Sequence, residues 1–132
     1  MVRLYNPKLI LVVDDDRSLR IQMRALLEND GYQVVEAASG EQALYVYTEV
    51  QPAMVLLDIM MREMDGISFC QQLQNLPGGD NIPILIITST DEPASIEKAF
   101  ATGAMDYISK PVQWIVLQHR IRLLLATRRG VE

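Results

Sequence analysis

Short runs of consecutive apolar residues alternate along this chain with stretches whose apolar residues recur every third or fourth position. The continuous runs fall at 8–13, 32–37, 53–57, 82–87 and 105–109 and are rich in Val, Ile or Leu. Runs this short, without polar alternation, suit strands covered on both faces, as in a parallel sheet. The spaced stretches predict helices. Leu19, Met23, Leu26 and Leu27 form one inward stripe, ending before Gly31, a residue suited to the position just past a helix. Ser39 followed by Gln42 resembles a capping box opening a second helix, which ends before Gln51-Pro52. Ile67, Cys70, Leu73 and Leu76 mark a third, closed by Pro77-Gly78-Gly79, and Ile96, Ala99 and Phe100 a fourth, ending at Gly103. A fifth runs from about Val112 to Arg128, with Trp114, Leu117, Ile121, Leu124 and Leu125 facing inward. Five strand–helix units in strict alternation predict an α/β fold, a doubly wound parallel sheet with helices on both faces.

The residues that close the apolar runs carry the chemistry. Leu9–Val13 runs into Asp14-Asp15-Asp16, Met54–Leu57 into Asp58, Ile84–Ile87 into Thr88-Ser89, and Tyr107-Ile108-Ser109 into Lys110-Pro111. In an open parallel sheet the strand tips of one polarity share an edge, and ligands bind there. Asp14, Asp15 and Asp58 gathered at such an edge repel one another unless a cation lies among them. Mg²⁺ fits: it takes about six oxygens, keeps several waters and shares a phosphate. The backbone carbonyl of Met60 is close enough in sequence to add a ligand. Asp16 is better placed to cap the following helix. Asp58, single at the middle tip, is the expected nucleophile, forming an aspartyl phosphate. Lys110 would neutralise the phosphoryl oxygens, and Thr88 would donate a hydrogen bond to one.

Composition narrows the class. With 132 residues and 49% hydrophobic content, the chain is expected to form one domain over 1–132, its core at about 8–128. A net charge of −5 argues against direct nucleic-acid binding, which needs clustered Lys and Arg. Cys70 is the single cysteine, so no disulfide framework exists and a reducing, cytoplasmic setting is expected. No apolar run approaches the roughly 18 residues of a membrane helix.

The ordered set of tips resembles the receiver domains of two-component response regulators. The pieces are Leu11-Val12-Val13-Asp14-Asp15-Asp16, Leu56-Leu57-Asp58 with Met64-Asp65-Gly66, Ile86-Ile87-Thr88-Ser89, Gly103-Ala104 and Tyr107-Ile108-Ser109-Lys110-Pro111. The resemblance covers Leu9 to about Leu125. It implies a flavodoxin-like (βα)5 fold with sheet order 2-1-3-4-5. It also implies phosphoryl transfer from a histidine kinase or phosphotransfer protein to Asp58, with Asp14 and Asp15 as metal-binding acids. Thr88 would be the switch hydroxyl, Tyr107 the switch aromatic and Lys110 the phosphate-contacting lysine. Phosphorylation would then alter the face of helix four, strand five and helix five, with homodimerisation as one outcome. Three positions depart from the family pattern: Arg62 replaces a common proline, while Met60 and Thr90 flank the phosphoryl site and bear on the lifetime of the phosphate.

Three other readings compete. A haloacid-dehalogenase-like phosphatase would use Asp14 and Asp16, a Thr or Ser and a lysine, but it needs further acids after the lysine strand and leaves Asp58 idle. A degenerate receiver serving only as a dimerisation module is opposed by the intact Asp15, Asp58, Thr88 and Lys110. A dinucleotide-binding fold lacks its glycine-rich turn after the first strand. The remaining features have structural readings: His119 as a helix residue, Cys70 as buried packing, Met60, Met61 and Met64 as turn and core, and Arg128-Arg129 as favourable charge at a helix end. Trp114 suits either core or interface. The chain ends with the fifth helix, so it is expected to be a freestanding receiver or one cut from a longer protein. The segment 112–125 is similar to fifth helices of receivers that precede diguanylate cyclase or phosphodiesterase domains.

Overall fold

Five strand–helix units follow one another in the computed structural model, which describes residues 6–61, 65–89 and 92–131, the side chains of 128–131 excepted. They are β1 (Leu9–Val13), α1 (Arg17–Asn29), β2 (Gln33–Ala37), α2 (Gly40–Val50), β3 (Met54–Leu57), α3 (Gly66–Gln74), β4 (Ile84–Thr88), α4 (Pro93–Ala101), β5 (Asp106–Ser109) and α5 (Trp114–Val131). The strands form one parallel sheet in the order β2-β1-β3-β4-β5. Val13 pairs with Leu57, so the residues that follow them, Asp14 and Asp58, leave the sheet at neighbouring tips.

Successive strand residues point to opposite faces, and here both faces are covered. Leu11, Val13, Val55, Leu57, Ile84 and Ile86 pack with Ala43 and Tyr47 of α2, Phe69 and Leu73 of α3, and Ala99 of α4. Ile10, Val12, Met54, Leu56, Leu85 and Ile87 pack with Met23 and Leu27 of α1 and with Leu117 and Ile121 of α5. This double coverage is why the strands read as unbroken apolar runs. Each fully buried Leu, Ile, Val or Phe contributes about 1.5–3 kcal/mol of hydrophobic stabilisation.

The helix starts follow the polar caps. Asp16 accepts from the Leu19 amide, Ser39 from that of Gln42 and Asp65 from that of Ser68. Asp16 is thereby engaged in capping, as expected. Gly31, at φ 94°, occupies the left-handed position past α1 that a side chain would strain.

Some expectations shift. β4 spans Ile84–Thr88 rather than 82–87, because Pro83 has no N–H for the ladder, and the shift places Thr88 within the strand. The fifth helix starts at Trp114 rather than Val112. Leu26 and Phe100, which mark the apolar stripes of α1 and α4, are 39% and 44% exposed. The contact face of α1 is filled by Met23 and Leu27. In α4 Ala99 takes the contact, and Phe100, about 100° further round, turns out. Trp114 is half-buried against the α1–α5 cluster, Cys70 is buried and His119 lies exposed on α5. Burial pushes the Cys70 thiol up to about 12, which leaves it unreactive. Met61 joins the core while Met60 is exposed. Met64, Arg62 and Thr90, and the side chains of Arg128 and Arg129, lie outside the described residues. No helix among the described residues is long and apolar enough to cross a membrane.

Candidate functional site

Parallel register gathers the polar strand ends at one edge. Asp58 follows β3, and its amide donates to the Val13 carbonyl at 3.0 Å, extending the pairing of β1 with β3 by one residue. Asp14 does the same on the other side of β1, donating to the Ala37 carbonyl at 3.1 Å. Both residues are buried, at 3% and 5% exposure for Asp14 and Asp58. Buried carboxylates need partners, and these have them. Asp14 Oδ1 accepts the Asp16 amide at 2.9 Å, and Asp58 Oδ1 accepts the Met60 amide at 2.8 Å. The remaining oxygens share one cation. Lys110 Nζ lies 3.0 Å from Asp14 Oδ2 and 2.9 Å from Asp58 Oδ2.

Lys110 itself is held from β4. Its amide donates to the carbonyl of the fully buried Thr88 at 2.9 Å, so hydroxyl and ammonium reach the edge from adjacent strands. Tyr107, on β5, is half-buried against the cluster under α2, α3 and α4. Gly66 is required where α3 begins. A Cβ there would lie 2.6 Å from Ile59 Cα and 2.9 Å from the Asp58 carbonyl, so only glycine lets the start of α3 lie this close to the backbone at Asp58 and Ile59.

The electrostatics follow from burial and pairing. Burial pushes the Asp14 carboxyl above the usual range, against the Asp16 amide and Lys110 ammonium, which pull it down. Burial alone would lower Lys110, but its bonds to Asp58 and Asp14 outweigh that and hold it above 10.5. Asp15 is exposed, and among the described residues its side chain makes no hydrogen bond or ion pair. No three acidic, His or Cys side chains among the described residues converge into a ready-made cation cage. The donor set nevertheless suits a hard cation, since every candidate ligand is an oxygen. Asp14 and Asp58 together outweigh the one ammonium they share, so the charge at this edge also favours a cation.

Sequence reasoning missed Arg20, Arg24 and Glu36. Arg20 Nη1 donates to the Asp14 carbonyl at 2.7 Å, and Glu36 on β2 receives Arg20 at 3.0 Å and Arg24 at 2.6 Å. A signal existed. Glu36 interrupts an apolar strand, and an acid half-buried there calls for a cation, which the i, i+4 pair of arginines on α1 supplies.

The Arg24 hydrogen bond, then that of Arg20, hold Glu36 below its ordinary 4.5 despite partial burial. A depressed carboxylate gives stability that is complete above 4.5 and disappears as pH falls through its folded value. Glu36→Gln is therefore expected to lower the urea midpoint at neutral pH, and the gap from the parent should close as pH falls below 4.5. A gap that is constant across the acid range would contradict this role.

Comparison with known proteins places this edge in context. The model of the response regulator receiver domain family matches residues 10–122. The chain is 40% identical over 119 residues to the response regulator MprA of Mycolicibacterium vanbaalenii, an alignment covering 90% of the chain and 51% of that protein. It thus spans about half the length of the curated relatives it matches. Among solved structures, a CheY-like receiver domain protein of Methanospirillum hungatei superposes with a TM-score of 0.89 at 26% identity, covering 95% of this chain and 98% of that one. The signal receiver domain of a modulated diguanylate cyclase from Desulfovibrio desulfuricans gives 0.83 at 28% identity, covering 94% and 98%. With adjacent acidic tips joined by a lysine, a buried threonine beside them and these matches over nearly its whole length, the chain belongs to the receiver domain family of two-component response regulators.

Proposed function

We propose that Asp58 accepts a phosphoryl group from the phosphohistidine of a partner kinase or phosphotransfer protein. The observation that supports this reading best is the Lys110 ammonium, 2.9 Å from Asp58 and 3.0 Å from Asp14 at neighbouring strand tips. A phosphoryl group arriving at Asp58 meets a fixed positive charge that needs no reorganisation. In the transfer the P–N bond breaks, a P–O bond forms to an Asp58 carboxylate oxygen, and the leaving imidazole takes up one proton. Asp14, Asp15, Asp58 and the Met60 carbonyl would hold Mg²⁺, which supplies charge neutralisation for the phosphoryl oxygens. Lys110 balances the oxygens from the opposite side.

The phosphorylated carboxylate then draws the Thr88 hydroxyl toward its oxygens, and Tyr107 moves into the space released. The face of α4, β5 and α5, where Phe100, Met105 and Ile115 are exposed at 44%, 43% and 79%, changes its packing and presents a homodimer interface. The domain is a signalling module that promotes only its own phosphorylation and dephosphorylation, in the cytoplasm, without binding nucleic acid itself. Its output belongs to other parts of a longer regulator or to a separate partner, with a cyclic-dinucleotide enzyme as one reading of the fifth-helix sequence. The phosphatase alternative is disfavoured because Asp16, which it needs for chemistry, caps α1.

Acetyl phosphate offers a test without the kinase. With Mg²⁺ the protein should gain one phosphoryl group per chain by mass spectrometry and sediment with a larger dimer fraction. Chelation of the metal should abolish both changes. Repeated turnover of a small phosphoester without stable labelling would instead support the phosphatase.

A further inference from the structure

Arg20 ties the acidic tip to the edge of the sheet. From α1 its Nη1 donates to the Asp14 carbonyl at 2.7 Å, while its Nε donates to Glu36 Oε1 at 3.0 Å. Glu36 stands on β2 opposite Val12, and its second oxygen takes Arg24 Nε at 2.6 Å. Arg24 in turn meets Glu28 at 3.1 Å. The Arg20 side chain is 14% exposed against 38% for Arg24, so the inner arginine of the network is the one that reaches the tip.

The Asp14 carbonyl and the Asp15 amide belong to one rigid peptide plane. On its other sides Asp14 is held by Ala37, Asp16 and Lys110. Asp15 has no side-chain partner among the described residues, so only the backbone it leaves from places its Cβ and limits where its carboxylate can reach. We infer that Arg20, anchored by Glu36, is a positioning residue that fixes the Asp14–Asp15 peptide plane and so presents the Asp15 carboxylate to the divalent cation. This rests on the reading of Asp14, Asp15 and Asp58 as cation ligands. The task needs a fork, because two nitrogens of one planar group serve two acceptors at once, which a lysine on a flexible stem does not reproduce.

Charge and positioning act here with opposite signs. A guanidinium beside the acidic tip repels a cation, so by charge alone its removal tightens Mg²⁺ binding. Loss of a group that orients a ligand weakens metal binding by about 10- to 100-fold. Mg²⁺ titration by calorimetry, on the full chain with thermal midpoints recorded alongside, separates the two for the parent, Arg20→Ala, Arg20→Lys and Arg24→Ala. Arg20→Ala is expected to bind about 10-fold more weakly, at the lower end of that range. Arg20→Lys should stay weak although its charge is kept, and it carries the test should Arg20→Ala not fold. Arg24→Ala should bind as the parent does, whatever its thermal midpoint. Equal or tighter binding by the Arg20 variants, or an equal loss in Arg24→Ala, overturns the inference while a binding parent leaves the ligand reading standing. A parent that binds no Mg²⁺ overturns both.

Discussion

Asp58→Asn should take up no phosphoryl group from acetyl phosphate in the presence of Mg²⁺, where the parent acquires a hydroxylamine-labile label. The amide keeps the size of the side chain and an oxygen to accept the Met60 amide, now 2.8 Å from Asp58 Oδ1, but it is no nucleophile. The fold should survive. The Asp58 backbone amide still bonds the Val13 carbonyl at 3.0 Å, and Lys110 keeps Asp14 as a partner at 3.0 Å. Asp14→Asn makes the informative comparison, because it also removes one buried carboxylate from Lys110 yet should keep a label, gained more slowly. Circular dichroism would verify folding in both, and peptide mapping would locate the parent's label. Labelling that persists in Asp58→Asn, or a label on Asp14, would overturn the assignment.

The same residues explain how far the sequence was informative. Strands were legible because helices cover both faces of the sheet, so each strand is apolar throughout, and the residue ending each run marks a tip. β4 was displaced because Pro83 extends the apolar run without being able to donate to the ladder. Stripes predicted which helices turn inward but not how wide the buried face is. Phe100 sits next to the buried Ala99 and still points to solvent, since the contact of α4 with the sheet is narrow enough for one small residue.

The site divided in the same way. Asp58, Asp14, Thr88 and Lys110 announced themselves by their positions at run ends, and the structure brings these four to one edge. Strand order came from family resemblance, since periodicity says nothing about which tips are neighbours. Without that order, the meeting of Asp14 with Asp58 could not be read. Nor could the unequal surroundings of the adjacent acids be read, one buried and bonded to Lys110, the other exposed. Arg20 and Glu36 are separated by 16 positions and meet only because α1 packs back over β2.

Lys110→Met should produce the largest change in stability, and Mg²⁺ should offset part of it. Methionine retains much of the length of the stem but leaves the Asp14 and Asp58 carboxylates, 4% and 5% exposed, facing each other without their shared cation. Removing one partner of a buried ion pair costs about 3–5 kcal/mol. Lys110 is 21% exposed, so solvent reaches the site and the lower end, about 3 kcal/mol, is expected. A divalent cation at the same oxygens supplies the missing charge, and saturation at about 100 times its dissociation constant returns about 2.7 kcal/mol. The pH dependence has a definite sign. Asp14 is already raised above its ordinary 3.8 by burial, and loss of the ammonium raises it further. The folded variant then holds more protons than the unfolded chain at mildly acidic pH, so its stability falls as pH rises through that raised value and recovers as pH drops toward 3.8. Urea unfolding of parent and variant at neutral and mildly acidic pH, with and without Mg²⁺, measures each part. The deficit should be greatest at neutral pH without metal and smaller under either change. A variant as stable as the parent at neutral pH without metal would show that Lys110 does not hold the two acids together, and a deficit that Mg²⁺ leaves untouched would place the cation elsewhere.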